Sequence, residues 1–323
     1  MQSIYSRTPF DFPMQQQTTP PTIDARAAAR WQQLPASASP WLHEEVARRM
    51  QARLDWIKSK PASWAHWAPW RGGWQTHAVL ADRYPQASCI LLEPSASAAA
   101  QVRQALYSPW WQPKTWRQGK PRLVSRIDSP VQMLWSNMAL HMSADPQTLI
   151  GQWHQGLAVD GFLMFSCLGP DTLTELRTLY REQGWPAAAH EFTDMHDWGD
   201  MLVSAGFADP VMDMERITLS FAGPERLLQE LRELGRNLHP ARFAALRGRR
   251  WRQQLLDALS GGPLQLTFEI IYGHAVKPAP RLTVAAHSEI SLADMRQALV
   301  KGRTAVRGAD AAGFLFDKEA RHE

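Results

Sequence analysis

The sequence predicts an α/β fold in which a parallel sheet is finished by antiparallel pairing. Three observations carry this. Residues 88–93 (SCILLE) and 161–167 (GFLMFSC) are short, continuously apolar runs, as strands buried on both faces require. Stretches of helical period stand before, between and after them. In the far half, residues 213–221 and 264–276 alternate apolar and polar side chains instead, with Leu264, Leu266, Phe268, Ile270, Tyr272 and Val276 on one face of the second.

Taken in order, residues 1–24 are rich in Gln, Pro and Thr without periodicity and are expected to be disordered. Leu42, Val46, Met50, Leu54 and Ile57 recur at helical spacing, and Pro61 closes that helix. Residues 63–67 form an aromatic and polar strand, 67–74 a loop, and 75–84 the helix that follows. Residues 131–134 are an apolar strand running into Trp135-Ser136-Asn137, after which 139–142 begin a helix. A further helix is expected from Thr172, with Glu175 three residues on as a capping box and Leu173, Leu176 and Leu179 facing inward. Gly223-Pro224 opens another, with Leu227, Leu228, Leu231 and Leu234 on one face. These elements make one domain over residues 25–278. Residues 279–323 read as a peripheral segment with one surface helix at 292–300. No internal repeat is visible.

Composition narrows the function classes. The chain has 323 residues, enough for a large core, and its 45% hydrophobic content is that of a globular protein. No apolar stretch approaches the ~18 residues of a membrane span, and no charged-then-apolar leader pattern opens the chain, which predicts a cytoplasmic protein. The net charge of +4 suits an acidic partner and does not demand nucleic acid. Cys89 and Cys167 lie in apolar strands and are expected to be reduced core residues. His141, His190, His196 and His274 have no metal-ligand spacing, so no metal is expected.

The candidate chemistry clusters at strand ends. An acid closing the second strand of a doubly wound sheet can accept hydrogen bonds from ribose hydroxyls, and Glu93 stands there. The preceding loop must let backbone approach a ligand, a task for Gly72 and Gly73, while Pro69 and Arg71 bring side chains into it. Trp135 and Asn137 stand at the carboxyl edge of a central strand and are expected to line the same crevice.

With those residues quoted, a resemblance can be stated. The segments LWSNMALHM, DGFLMFSCLGPDTLTELR, His190-Glu191-Phe192, RITLSF, LRELG and LTFE occur in the order and spacing of the biotin-pathway malonyl-acyl-carrier-protein O-methyltransferases, over residues 130–278. The resemblance implies a class I methyltransferase-like (Rossmann-like) sheet of seven strands, mostly parallel, with the last strand antiparallel. It implies S-adenosylmethionine as methyl donor, bound by Gly72, Gly73, Glu93, Trp135 and Asn137, and a malonyl-loaded acyl-carrier protein as partner. His141 and His190 would border the crevice on the substrate side. The arginine-rich segment 236–252, with Arg247, Arg249 and Arg250, would meet the acidic carrier. A carboxylate acceptor is itself the nucleophile, so no catalytic base is expected.

The departures fall in the cofactor half. The family's D-x-G-C-G-x-G loop aligns with 67–73 and keeps only Gly73; the acidic turn for the adenine is reduced to Asp128; the acid before the W-S-N strand is Gln132; and 36–42 lacks a Tyr-Asp pair. These changes predict weakened cofactor affinity. They also leave open a second reading, a catalytically silent methyltransferase-fold protein that binds a partner. An open crevice between Glu93 and Asn137 favours the enzyme; one filled by Trp67, Trp70 or Arg71 favours the binder.

Overall fold

The computed structural model describes residues 23–106 and 121–280. Its seven strands are β1 (Ser63–Trp67), β2 (Ser88–Leu92), β3 (Arg122–Val124), β4 (Val131–Ser136), β5 (Leu157–Leu168), β6 (Ala208–Ser220) and β7 (Gln265–Val276). They form one sheet in the order β3-β2-β1-β4-β5-β7-β6. β1 pairs in parallel with β2 and β4, β2 with β3, and β4 with β5; β7 runs antiparallel to both β5 and β6. This is the class I methyltransferase-like sheet. The strand order reverses between β1 and β4, and the crevice for a ligand lies beyond the carboxyl ends of the strands there.

The two-residue period of the strands sorts side chains into two cores. Trp64, Met133, Trp135, Phe162, Met164, Phe268, Ile270 and Tyr272 face one layer. It is closed by α2 (Trp41–Arg53), α3 (Pro69–Arg83), α4 (Ala96–Leu106), α6 (Thr174–Glu182), α8 (Pro224–Leu234) and α9 (Arg249–Ser260). Ala65, Leu134, Leu163, Phe165, Cys167 and Ile271 face the other, against α5 (Pro146–Gly156) and α7 (Met195–Ser204). Trp64, Trp135, Trp153 and Trp198 are fully buried. At about 25 cal/mol per Å² each contributes several kcal/mol to the fold. Both cysteines are buried and free. No helix among the described residues is long and apolar enough to cross a membrane.

Four expectations need correction or completion. A helix not foreseen, α1 (Ala25–Gln33), opens the described chain; Asp24 caps it by accepting hydrogen bonds from Arg26 N and Ala27 N, and Ala27, Ala28 and Trp31 bury its inner face. Residues 67–74 are not a loop, because α3 already begins at Pro69 and bends at Gly73. The capping box at Thr172 does not form. Its hydroxyl bonds the Glu269 backbone, and the Glu175 carboxylate accepts from Thr267 N and Oγ1 instead, so both residues fasten α6 to β7. The arginine-rich segment is helical only from Arg249 onward. The chain divides into two units, Met1–Ala279 and Pro280–Glu323. The expected disorder over 1–22 and the expected helix at 292–300 lie outside the described residues.

Candidate active site

The turn between β1 and α3 is held in shape by side chains from elsewhere. Ala68 takes a left-handed conformation (φ 50°, ψ 50°), and Pro69 starts the helix in the first position, where a missing N–H costs nothing. The carbonyls of Trp70, Arg71 and Gly72 accept hydrogen bonds from Ser39 Oγ (2.7 Å), His43 Nδ1 (2.8 Å) and Asn137 Nδ2 (2.5 Å). At Gly73 the chain turns to φ 116°, which an L side chain tolerates poorly. The amides after this bend are met in turn. Gly73 N and Trp74 N donate to Ser39 Oγ, while Gln75 N and Thr76 N donate to the Glu44 carboxylate at 3.0 and 3.1 Å. Helix N-terminal amides, which in a glycine-rich loop face a ligand, are therefore capped by an internal hydroxyl and an internal carboxylate.

Around this turn lies a cavity of about 250 Å³. Trp67, Ala68, Glu93, Asn137 and Met138 line it at the ends of β1, β2 and β4, and Trp31 of α1 closes it from above. Arg71 holds that cover in place: its guanidinium stacks over the Trp31 ring (4.7 Å) and donates to Leu34 O (2.6 Å). The cavity stands open between Glu93 and Asn137. Trp67 and Arg71 form walls, and Trp64, Trp70 and Trp74 do not line it.

Glu93 accepts a hydrogen bond from Trp70 N at 3.1 Å. Burial raises its pKa from the ordinary carboxylate value to about 7, against the opposing pull of the Trp70 and Ser95 amides and the Arg71 charge. A carboxylate aimed into a cavity at the end of β2 suits ribose hydroxyls, and aromatic walls suit a base, so the cavity's chemistry fits a nucleoside cofactor. The other predicted residues are placed differently. Gly72 lines the cavity, and a methyl group there would come within 2.8 Å of Asn137 O. Gly73 does not line it and packs against Ala47 and Glu44. Trp135 is fully buried one residue before the strand end, in the layer with Met133 and Trp64, and does not line the crevice. Asn137 lines the cavity, but its amide bonds His43 O and Gly72 O and its oxygen accepts from Ser166 Oγ, so it braces the turn. Asp128 is exposed in a surface pair with Arg126 and does not line the cavity.

A second cavity, of about 120 Å³, adjoins the first, and Met142 lines both. Its walls include Leu176, Phe192, Leu231 and Phe268, and it receives His141 and His190 together. His141 Nδ1 accepts from Leu168 N, and His190 Nε2 donates to His141 O at 3.0 Å. Burial keeps both rings neutral, with His190 lowered to about 4 and His141 well below its ordinary value. Arg236 is the only Asp, Glu, Lys or Arg among the described lining residues. Arg247, Arg249 and Arg250 line neither cavity. Arg249 and Arg250 are exposed at the start of α9, and Arg247 stacks over Trp251 at 3.4 Å.

Known proteins share this arrangement at the level of sequence. Malonyl-acyl-carrier-protein O-methyltransferase of Gallionella capsiferriformans (strain ES-2) is 37% identical over 256 residues, covering 76% of this chain and 87% of that protein. The protein of the same name from Nitrosospira multiformis is 36% identical over 263 residues, covering 75% of this chain and 85% of its own length. The chain belongs to the malonyl-acyl-carrier-protein O-methyltransferase family. Its departures at 67–73 are therefore departures within that family, made without closing the crevice. Among solved structures, the N-methyltransferase NodS from Bradyrhizobium japonicum WM9, in complex with S-adenosyl-L-homocysteine, aligns with a TM-score of 0.42 and 12% identity, over 79% of this chain and 99% of that one. No protein-family model matches the chain.

Sequence reasoning missed Trp31, Gln32, Asp145 and Gln152 as cavity residues. The signal for the first two was available: Asp24, then Ala27, Ala28 and Trp31, is a capped helix with one apolar face.

Proposed function

We propose that this protein transfers a methyl group from S-adenosylmethionine to the free carboxylate of malonyl-acyl-carrier protein, a step of biotin synthesis. The observation that carries the reading is the pair of cavities meeting at Met142, one suited to a nucleoside and one apolar with a single cation. When bound, S-adenosylmethionine supplies a sulfonium-activated methyl group, which leaves sulfur as an acceptor oxygen bonds to it. Glu93 would hold the ribose, with Trp31 and Trp67 along the walls. Burial lowers the pKa of Arg71, and the nearby Arg236 charge lowers it further against the pull of Glu93. Arg71 lines the first cavity and Arg236 the second, and an anion bound near both relieves the repulsion between them. A malonyl carboxylate is such an anion. It needs positioning and removal from water, and no base. Exposed Arg249 and Arg250 would steer an acidic carrier protein to this face.

The test is methyl ester formation on malonyl-acyl-carrier protein, with calorimetry of S-adenosylmethionine and its demethylated product. The expected result is salt-sensitive turnover, with Arg236→Ala raising KM for the carrier about tenfold and leaving cofactor affinity unchanged. Failure of the wild-type protein to bind either cofactor form at millimolar concentration would sink the proposal. Nothing in the cavities favours the silent-binder reading, since the crevice is open where that reading needs it filled.

A further inference from the structure

The second cavity contains a buried acceptor with no protein donor. His190 is 3% exposed and lines that cavity. Its Nε2 faces a carbonyl oxygen, His141 O, and must carry the proton. Nδ1 is therefore an unprotonated acceptor, and it is buried without any hydrogen-bond partner. A buried polar atom left unpaired is costly, and here the ring has already spent its one proton. His141 beside it is in the complementary state: Nδ1 accepts from Leu168 N, which leaves Nε2 as its protonated nitrogen. Two neutral rings lining one cavity thus carry an unpaired acceptor and a protonated nitrogen, among mostly apolar neighbours with Arg236 and Asn237 as the other polar side chains.

A secondary amide on a flexible apolar chain matches this lining. Its N–H satisfies His190 Nδ1, its carbonyl can take the His141 donor, and its methylenes lie against Leu176, Leu231 and Phe268. Carrier proteins present their acyl groups on a pantetheine arm, which carries two such amides between methylene pairs. We infer that the second cavity is the subsite for the pantetheine arm of the acceptor, with His190 Nδ1 receiving an amide N–H of that arm. The assignment rests on the proposed acceptor class, and it makes His190 a binding residue that sets which thioesters are accepted. Met142, shared by both cavities, lies where the arm's acyl end would meet the cofactor cavity.

The experiment uses the full chain with ¹⁵N-labelled histidine and carrier-free pantetheine as the probe. Addition of pantetheine should move the His190 Nδ1 resonance away from that of an unbonded ring nitrogen. His190→Leu should weaken pantetheine binding about tenfold, and His190→Gln, which restores an acceptor, should recover part of it. Affinity for S-adenosylhomocysteine should be the same in all three proteins. A His190 signal that does not respond in the wild-type protein would overturn the inference, and that measurement does not depend on either variant folding. Equal pantetheine affinity in wild type and His190→Leu would overturn it as well. Pantetheine contact at His190 without methylation of the malonyl carrier would support the subsite while refuting the proposed reaction. Methylation with no contact at His190 would do the reverse.

Discussion

At the β1–α3 turn, the carbonyls of residues 70–72 and the amides of residues 73–76 are met by Ser39, His43, Glu44 and Asn137. In the second cavity, His190 keeps one buried nitrogen that no protein group meets. The first region holds its geometry by internal hydrogen bonds, with Pro69 and Arg71 beside its two glycines. The second leaves one buried hydrogen bond unmade by protein groups. The comparison teaches that sequence drift and loss of a site are separate events. A backbone shape once encoded by glycine can be encoded by long-range capping. An unpaired buried atom is a place to look for a ligand group that would supply its partner.

The comparison can be broken first at Asn137. Removing its side chain by Asn137→Ala takes one hydrogen bond each from His43 O, Gly72 O and Ser166 Oγ, all in a buried setting. Stability in urea should fall by about 3 kcal/mol. A loss under about 1 kcal/mol would mean that the turn does not depend on this brace. Glu44→Ala comes next. It uncaps Gln75 N, Thr76 N and Thr76 Oγ1, and should cost about 2 kcal/mol in the same assay. If the same variant leaves the cofactor cavity intact, with binding within twofold of wild type, capping and ligand binding are separable functions of this turn.

The smallest effect sharpens the contrast by pH. The pKa of Glu93 is raised from 4.5 to about 7, so the folded state holds this proton more tightly than the unfolded chain. The stability it contributes is complete below about pH 4.5 and is lost as pH rises toward about 7. Unliganded protein should lose about 1–2 kcal/mol over that window from this group, and Glu93→Gln should flatten the profile. Binding through ribose hydroxyls has the opposite sign, because the ionised carboxylate is the better acceptor. Cofactor affinity should therefore weaken as pH falls below about 7. A flat affinity between pH 5 and 8 would remove Glu93 from the cofactor site.

Much of the fold was legible because parallel strands buried on both faces leave unbroken apolar runs, as at residues 88–92 and 161–167, while β6 and β7 show alternation. The cofactor turn was legible only in part. Pro69, Gly72 and Gly73 read locally as loop punctuation. In the folded chain Pro69 starts a helix, Gly72 gives room for the Asn137 backbone, and Gly73 bends the helix toward α2. The partners that decide this, Ser39 and Glu44, lie about thirty residues upstream, at a separation no local pattern reports. Trp135 was assigned to the crevice because it stands near a strand end, but the pleat sends it into the same buried layer as Met133. That Glu93 lines the crevice was legible from position alone, since a strand end in a doubly wound sheet fixes where its side chain goes.

The upstream origin of Ser39 and Glu44 has a consequence for portability. In a fold whose ligand turn is written in glycines, the sheet with its flanking helices can be cut free of preceding segments and still carry its site. Here the stretch before residue 60 closes the amides of α3, and through Trp31 it roofs the cavity. The first cavity and the N-terminal arm are thus built as one unit. A crossover between the arm and α3 would part Ser39 and Glu44 from the amides they cap.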